Sequence, residues 1–295
     1  MFLVYLITNM SHLHDAKIEE LEETANLIRE DIIKMLLEAK SGHSAGPLGM
    51  ADIFAAFYFH ILRHDPKKPD WEDRDRLILS NGHICPVRYA AMARAGYFPL
   101  KELATLRKFG TRLQGHPERL RLPGLETTSG PLGVGLSQSA GLAYSARMSG
   151  KKWRTYCLMS DGEQECGITY EAMLFAGANK LSNLTAVIDR NNIQIDGTTE
   201  SIMPLEPLRA KYEACNWRVI EVGGHNMRQF IEAVEEAKAV EDRPTCIIAH
   251  TIPGRGVSFM EYKVEWHGIP PNAEQADKAL EELRTLGGKI RSEHQ

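Results

Sequence analysis

The chain has 295 residues, 43% hydrophobic and 25% charged, with Lys+Arg 35 against Asp+Glu 39 and a net charge of -4. That length buries a sizeable core and the composition is ordinary for a soluble globular protein, with no basic excess to suggest a nucleic-acid partner. The five cysteines (Cys85, Cys157, Cys166, Cys215 and Cys246) are scattered and form no CxxC pair, which argues against a disulfide scaffold or zinc knuckle and for a reducing, cytoplasmic home.

The N-terminal run MFLVYLITNM is apolar, but it lacks a positive flank and is too short to span a bilayer. Residues 1–14 read as an extension ahead of one domain, 15–295. Over 17–40, Ile18, Leu21, Ala25, Ile28, Ile32, Met35 and Leu36 fall at helical spacing, and SGHSAGP then breaks the helix. A helix over 50–62 is apolar on most sides. A short strand at 76–80 runs into Asn81-Gly82-His83, and Pro86 opens a helix to about 95. A helix over 100–109 precedes a long Gly- and Pro-rich loop, 110–133, of a length that is usually functional or disordered. Small residues mark a tightly packed helix over 134–149. Strands around Cys157 and Val187 flank a helix at 169–178. A strand at 217–222, a helix at 226–240, a strand at 245–249, an irregular run at 253–271 and a helix at 273–286 complete the chain. The alternation predicts an α/β fold, a doubly wound, mostly parallel sheet with helices on both faces.

Two apolar runs end in polar residues: CLMSDGEQECG at Asp161-Gly162, and LTAVIDRNNIQIDG at Asn191-Asn192. As adjacent parallel strands they bring Asp161 and Asn191 together where ligands of such sheets collect. An acid, an amide and the Ile193 carbonyl form an all-oxygen set suited to Mg2+ shared with a diphosphate, and Gly162 allows a tight turn whose following helix offers N–H groups to phosphate. An Asp after a strand is also a common turn residue; its pairing with Asn191 favours the metal. His43, His83, His116 and His225 are flanked by glycine, which suits either a plain turn or a site. None has the spacing of a zinc site. His43, His83 and His116 are the better site candidates, for diphosphate contact or proton transfer, with His225 weaker, and His267 in EWHGIPP is placed to close over substrate. The backbone of ETTSGPLG, including Gly130 and Leu132, offers an edge for a planar heterocycle. The chain has neither a P-loop nor a GxGxxG after a strand.

These segments resemble the thiamine-diphosphate enzymes of the transketolase family over about 15–290: SDGEQECG…DRNN its cofactor signature, and SGHSAGPLG, LSNGH, QGHPE, ETTSGPLG and EWHG the segments around the cofactor and substrate. The resemblance implies a thiamine-diphosphate-binding fold with Mg2+ on Asp161, Asn191 and the Ile193 carbonyl. It places His83 by the diphosphate, Gly130 and Leu132 at the aminopyrimidine, and His43, His116 and His267 in a substrate channel, with His43 also near the cofactor. It implies transfer of a two-carbon ketol unit from a ketose to an aldose, with sugars or sugar phosphates as substrates. The chain resembles only the diphosphate-binding half. The family's catalytic glutamate belongs to the other half, so a C-terminal, pyrimidine-binding subunit in an α2β2 assembly is expected. Cys166 stands where full transketolases usually carry glutamate, with Glu165 one residue early, and Ser44 replaces the usual proline. Alternatives are a 2-oxo acid dehydrogenase α-like or deoxyxylulose-phosphate synthase-like subunit, or a non-catalytic regulatory subunit retaining the fold; the histidine set favours transketolase over the first two.

Overall fold

The computed structural model describes residues 14–286. The expected N-terminal extension therefore lies outside the described residues except for His14. The strands are β1 (Arg76–Leu79), β2 (Thr155–Ser160), β3 (Leu184–Arg190), β4 (Ile193–Gln194), β5 (Gly197–Thr198), β6 (Arg218–Gly223) and β7 (Thr245–His250). Five of them form one sheet in the order β1-β2-β3-β7-β6, parallel throughout, while β4 and β5 make a separate antiparallel hairpin. The central strands are apolar on both sides because both faces are covered.

Side chains alternate across each strand. Leu77, Leu79, Tyr156, Leu158, Val187, Ile247 and Ala249 face one layer. That layer contains α1 (Asp15–Ala39), α2 (Ala45–Gly49), α3 (Ala51–Ala56), α4 (Cys85–Arg94), α9 (Met227–Ala239) and α10 (Ala273–Leu286). Ile78, Cys157, Met159, Ala186, Ile188, Cys246 and Ile248 face the other, built on α5 (Val134–Met148), α6 (Gly167–Ala178) and α8 (Leu208–Ala214). Each large apolar side chain fully buried in these layers stabilises the fold by about 1.5–3 kcal/mol. The expected doubly wound α/β architecture is what the structure shows.

Three stretches differ from the sequence expectation. The helix expected over 100–109 is only a 3-10 helix at Leu100–Thr105: Arg107 adopts a left-handed φ of 58° and its N–H bonds the Leu113 carbonyl at 3.0 Å, turning the chain. The helix expected over 50–62 becomes a π-helix at Phe57–Ile61, with Phe57, Tyr58 and Ile61 buried. It is also preceded by α2, inside the supposed breaker, because Pro47 lies in the first turn, where its missing N–H costs nothing. Residues 199–216, unassigned from sequence, fold into α7 (Thr199–Ile202) and α8.

Candidate functional site

β2 and β3 pair with Ser160 opposite Asp189, so Asp161 and Asn191 step off the same carboxyl edge of the sheet. A cavity of ≈ 420 Å3 opens there. Its lining includes His43, His83, His116 and His267 together with Gly162, Asn191, Ile193, Gly130 and Leu132. All the site candidates named from sequence thus meet at one place except two. Asp161 is fully buried and does not line the cavity, although its neighbour Gly162 does. His225 lies elsewhere.

The acidic rim is densely hydrogen-bonded. Asp161 Oδ1 accepts the Gly162 N–H at 2.7 Å, and Oδ2 accepts the Asn192 N–H at 2.6 Å and Arg190 Nη1 at 3.3 Å. Asn192 reaches this position with a left-handed φ of 65°. Burial pushes the Asp161 carboxyl up to about 6, against the pull of those donors. Asn191 Nδ2 donates to Asp189 Oδ2 at 2.9 Å, and Asn191 Oδ1 accepts the Ile193 N–H at 3.0 Å. Thr251 in turn donates to Asp189 Oδ1. Burial pushes Asp189 up to about 7, with the Asp161 charge adding to the rise. The turn after Asp161 corrects one expectation. It is a 3-10 helix, Gly162–Glu165, and its first N–H groups are spent on Asp161 and Ser160, so they are not free for phosphate; α6 begins only at Gly167.

The histidine side is packed differently. The rings of His43 and His83 lie 4.9 Å apart, His43 and His267 5.6 Å, and His83 and His267 5.5 Å. Burial lowers His43 to about 4, helped by His267, Arg107 and His116. It lowers His83 to about 3, helped by His43 and His267. His116 and His267 are lowered in the same way. Four neutral imidazoles therefore face the cavity at pH 7, and His43 Nδ1 is buried without a hydrogen-bond partner.

Sequence reasoning missed Glu163, Asp189 and Arg190. Glu163 is fully buried; its carboxylate accepts from Ser80 Oγ, from the Gly133 N–H at 2.5 Å and from the Ser160 N–H at 3.1 Å, tying the tips of β1 and β2 to the start of α5. Gly133 turns into that contact with a φ of 81°. Burial pushes Glu163 up to about 6. The available signal was the run of polar residues at two strand ends, where ordinary strand residues would be apolar. His225 is a scaffold residue. Its Nε2 accepts the Ile252 N–H at 2.7 Å, so Nδ1 carries the proton and donates to Asp52 Oδ2 at 2.7 Å. Asp52 also holds Arg29 of α1 at 2.5 Å.

Among the described residues no group of three His, Cys, Asp or Glu is arranged to hold a metal. A buried carboxylate, the Asn191 amide and the Ile193 carbonyl fit Mg2+ by donor chemistry, and the orphaned His43 Nδ1 and Glu165 Oε1 leave polar atoms for a bound ligand.

A parallel sheet with an oxygen-rich carboxyl edge and a cavity beside it defines an α/β domain whose ligand site lies where such sheets collect ligands. The match to the transketolase thiamine diphosphate binding domain covers residues 21–287, and the chain belongs to that family. It is 40% identical over 268 residues to a 6-deoxy-6-sulfo-D-fructose transketolase subunit of Clostridium sp. (strain MSTE9), covering 91% of this chain and 98% of that one. It is 38% identical over 278 residues to an apulose-4-phosphate transketolase subunit of Phocaeicola vulgatus, covering 94% and 99%. The transketolase structure from Campylobacter jejuni superposes with a TM-score of 0.85 at 34% identity, covering 90% of this chain but only 42% of that one. The chain thus corresponds to nearly the whole of two proteins named as subunits and to less than half of a full transketolase. Thiamine diphosphate, with Mg2+, is the cofactor of this domain. Among the described residues no helix is long and apolar enough to cross a membrane.

Proposed function

We propose that this chain is the diphosphate-binding subunit of a two-subunit transketolase, acting in the cytoplasm as one domain over 15–295. It works with a C-terminal subunit that supplies the pyrimidine-binding half and the catalytic glutamate, in an α2β2 assembly. The reaction moves a two-carbon ketol unit from a ketose, free or phosphorylated, to an aldose. The observation that carries this reading is the single cavity holding four histidines opposite the Asn191–Ile193 rim.

Asp161, Asn191 and the Ile193 carbonyl would hold Mg2+, and His83 would contact the diphosphate. Gly130 and Leu132 would present backbone to the aminopyrimidine. Bound thiamine diphosphate supplies the nucleophilic carbon that carries the two-carbon unit. The chain's own share is proton traffic and positioning. His43, His116 and His267 are neutral at pH 7, so each has a ring nitrogen able to accept a hydroxyl proton and return it.

The test mixes the chain with its partner subunit, thiamine diphosphate, Mg2+ and ketose donors with aldose acceptors. Ketol transfer that requires all of these components is expected. Absence of transfer from every ketose tried, in a mixture that demonstrably binds the cofactor, would overturn the assignment.

A further inference from the structure

Arg190 ends β3 immediately before Asn191, and its side chain, 5% exposed, reaches Asp161; Asn191 and Asp161 supply the two side chains read as cation ligands. Its guanidinium is shared out completely along one edge. Nη1 meets Asp161 Oδ2 at 3.3 Å and Thr199 Oγ1 at 2.8 Å. Nη2 meets Glu200 Oε1 at 2.9 Å and Glu206 Oε1 at 3.0 Å. Glu200 folds back further, accepting the Leu205 N–H at 3.2 Å, and Glu206 accepts the Leu208 N–H at 2.8 Å. The segment 199–207 is thus strapped to the strand tip through one buried cation.

A buried cation beside a metal ligand is at first sight a handicap, because it repels Mg2+ and competes for the carboxylate. The charge count resolves this. One guanidinium faces three carboxylates, and two of them lie on the strap. We propose that Glu200 and Glu206 neutralise Arg190, leaving the Asp161 charge to the cation, so that Arg190 is a positioning residue coupling the strap 199–207 to the Mg2+ site. This rests on the cofactor reading above. Coupling of this kind is reciprocal: whatever tightens the strap tightens the cation, and cation binding tightens the strap.

The test is the double variant Glu200→Gln/Glu206→Gln in the full chain, measured against wild type for Mg2+-dependent thiamine diphosphate binding by calorimetry. Amide exchange over 199–207 is followed with and without Mg2+ and thiamine diphosphate. Both side chains are substantially exposed, 42% and 58%, and glutamine keeps an acceptor oxygen, so the fold should survive; a thermal melt checks this. We expect roughly tenfold more Mg2+ for half-saturation, in the range of a second layer around a metal site. We also expect recovery of cofactor affinity at excess Mg2+, and protection of the strap on loading that is larger in wild type than in the variant. If wild type binds and the variant has the same Mg2+ requirement, the coupling is refuted. A loss that excess Mg2+ does not rescue also refutes it, as damage to the fold. If wild type assembled with its partner subunit binds no cofactor under any condition, the cofactor reading fails, and strap exchange that loading leaves equally protected in variant and wild type would refute the coupling to the strap.

Discussion

The two walls of the cavity are built on opposite plans. At the acidic strand tips, where Asn191 and Asp189 line the cavity and Asp161 is buried behind them, nearly every polar atom already has a partner: Asp161 takes three donors, Asn191 is gripped at both ends of its amide, and Asp189 is held from β3 and β7 sides at once. On the histidine wall the rings touch one another, and the buried His43 Nδ1 has no hydrogen-bond partner at all. A leftover polar atom in a buried place costs about 1–3 kcal/mol. The contrast therefore separates two kinds of preparation: the strand tips are fixed in advance by hydrogen bonds, and the buried nitrogen of the histidine cluster is left unsatisfied. Preorganisation where the charge is permanent, and vacancy where protons must move, is an economical way to join binding with turnover.

The harshest way to break the comparison is on the acidic wall. Asp161→Ala removes the one charged residue proposed to hold the cation and takes from the Asn192 N–H and Arg190 their shared acceptor. Thiamine diphosphate affinity should fall by more than about a hundredfold, beyond the range for residues one layer out. Calorimetry in the presence of Mg2+ reads this directly, and near-normal affinity would show that the cation is held elsewhere. The histidine wall should fail in the other direction. His43→Ala is expected to lower ketol transfer by about a hundredfold while thiamine diphosphate still binds within a few fold, as for removal of a proton-transfer group. Equal losses of binding and turnover would erase the distinction between the walls.

His225 gives a control between the two. It carries the same glycine-flanked signature in sequence as the cavity histidines, yet it serves Asp52 and the Ile252 N–H. His225→Ala should cost about 1–3 kcal/mol in a denaturant titration by stranding those groups, with turnover per folded molecule unchanged. The neighbourhood of glycine thus reports a turn, and only the three-dimensional convergence separates a scaffold histidine from a cavity one.

That is also the limit of what the sequence discloses. The strands were legible because their apolar runs end abruptly in Asp161 and in Asn191, and parallel pairing then forces the two tips together. The convergence of His43, His83, His116 and His267 was legible through glycine-flanked loops at element ends and through the family resemblance. Glu163 and Arg190 were not, because a buried acid and a buried arginine look like solvated surface until their partners are known. Those partners are distant in sequence (Ser80 and Gly133 for one, Glu200 and Glu206 for the other). The 3-10 helix at Leu100–Thr105 escaped for a related reason: a left-handed Arg107, bonded to Leu113, overrides a helical pattern that the residues alone would support.

Proton linkage sharpens the contrast without touching the chemistry. His83 is pushed down to about 3 by burial, so between its unfolded value of 6.5 and that value the unfolded chain binds more protons, and stability falls as pH falls. Glu163 is pushed up from 4.5 to about 6 by burial, so over that interval the folded chain binds more protons, and stability falls as pH rises. These two buried groups therefore oppose each other between about pH 4.5 and 6. Melting temperatures followed from pH 7 to pH 4.5 should decline less in His83→Asn than in wild type, because only the first contribution is removed. A steeper decline in the variant would mean that His83 is charged in the fold.

The smallest effect is expected at Cys166, which stands at the N-cap of α6 and does not line the cavity. Its backbone has the extended φ of -79° and ψ of 126° that a capping residue adopts, but its side chain makes no capping hydrogen bond. A serine hydroxyl in that place can accept an N–H from the first turn of the helix, which sulfur does poorly. Cys166→Ser should therefore stabilise the chain by about 0.5–1 kcal/mol in the same denaturant titration, with cofactor affinity and turnover unchanged. A loss of turnover without a loss of stability would instead give Cys166 a part in the site, and would make the start of α6 a third wall rather than a support for the other two.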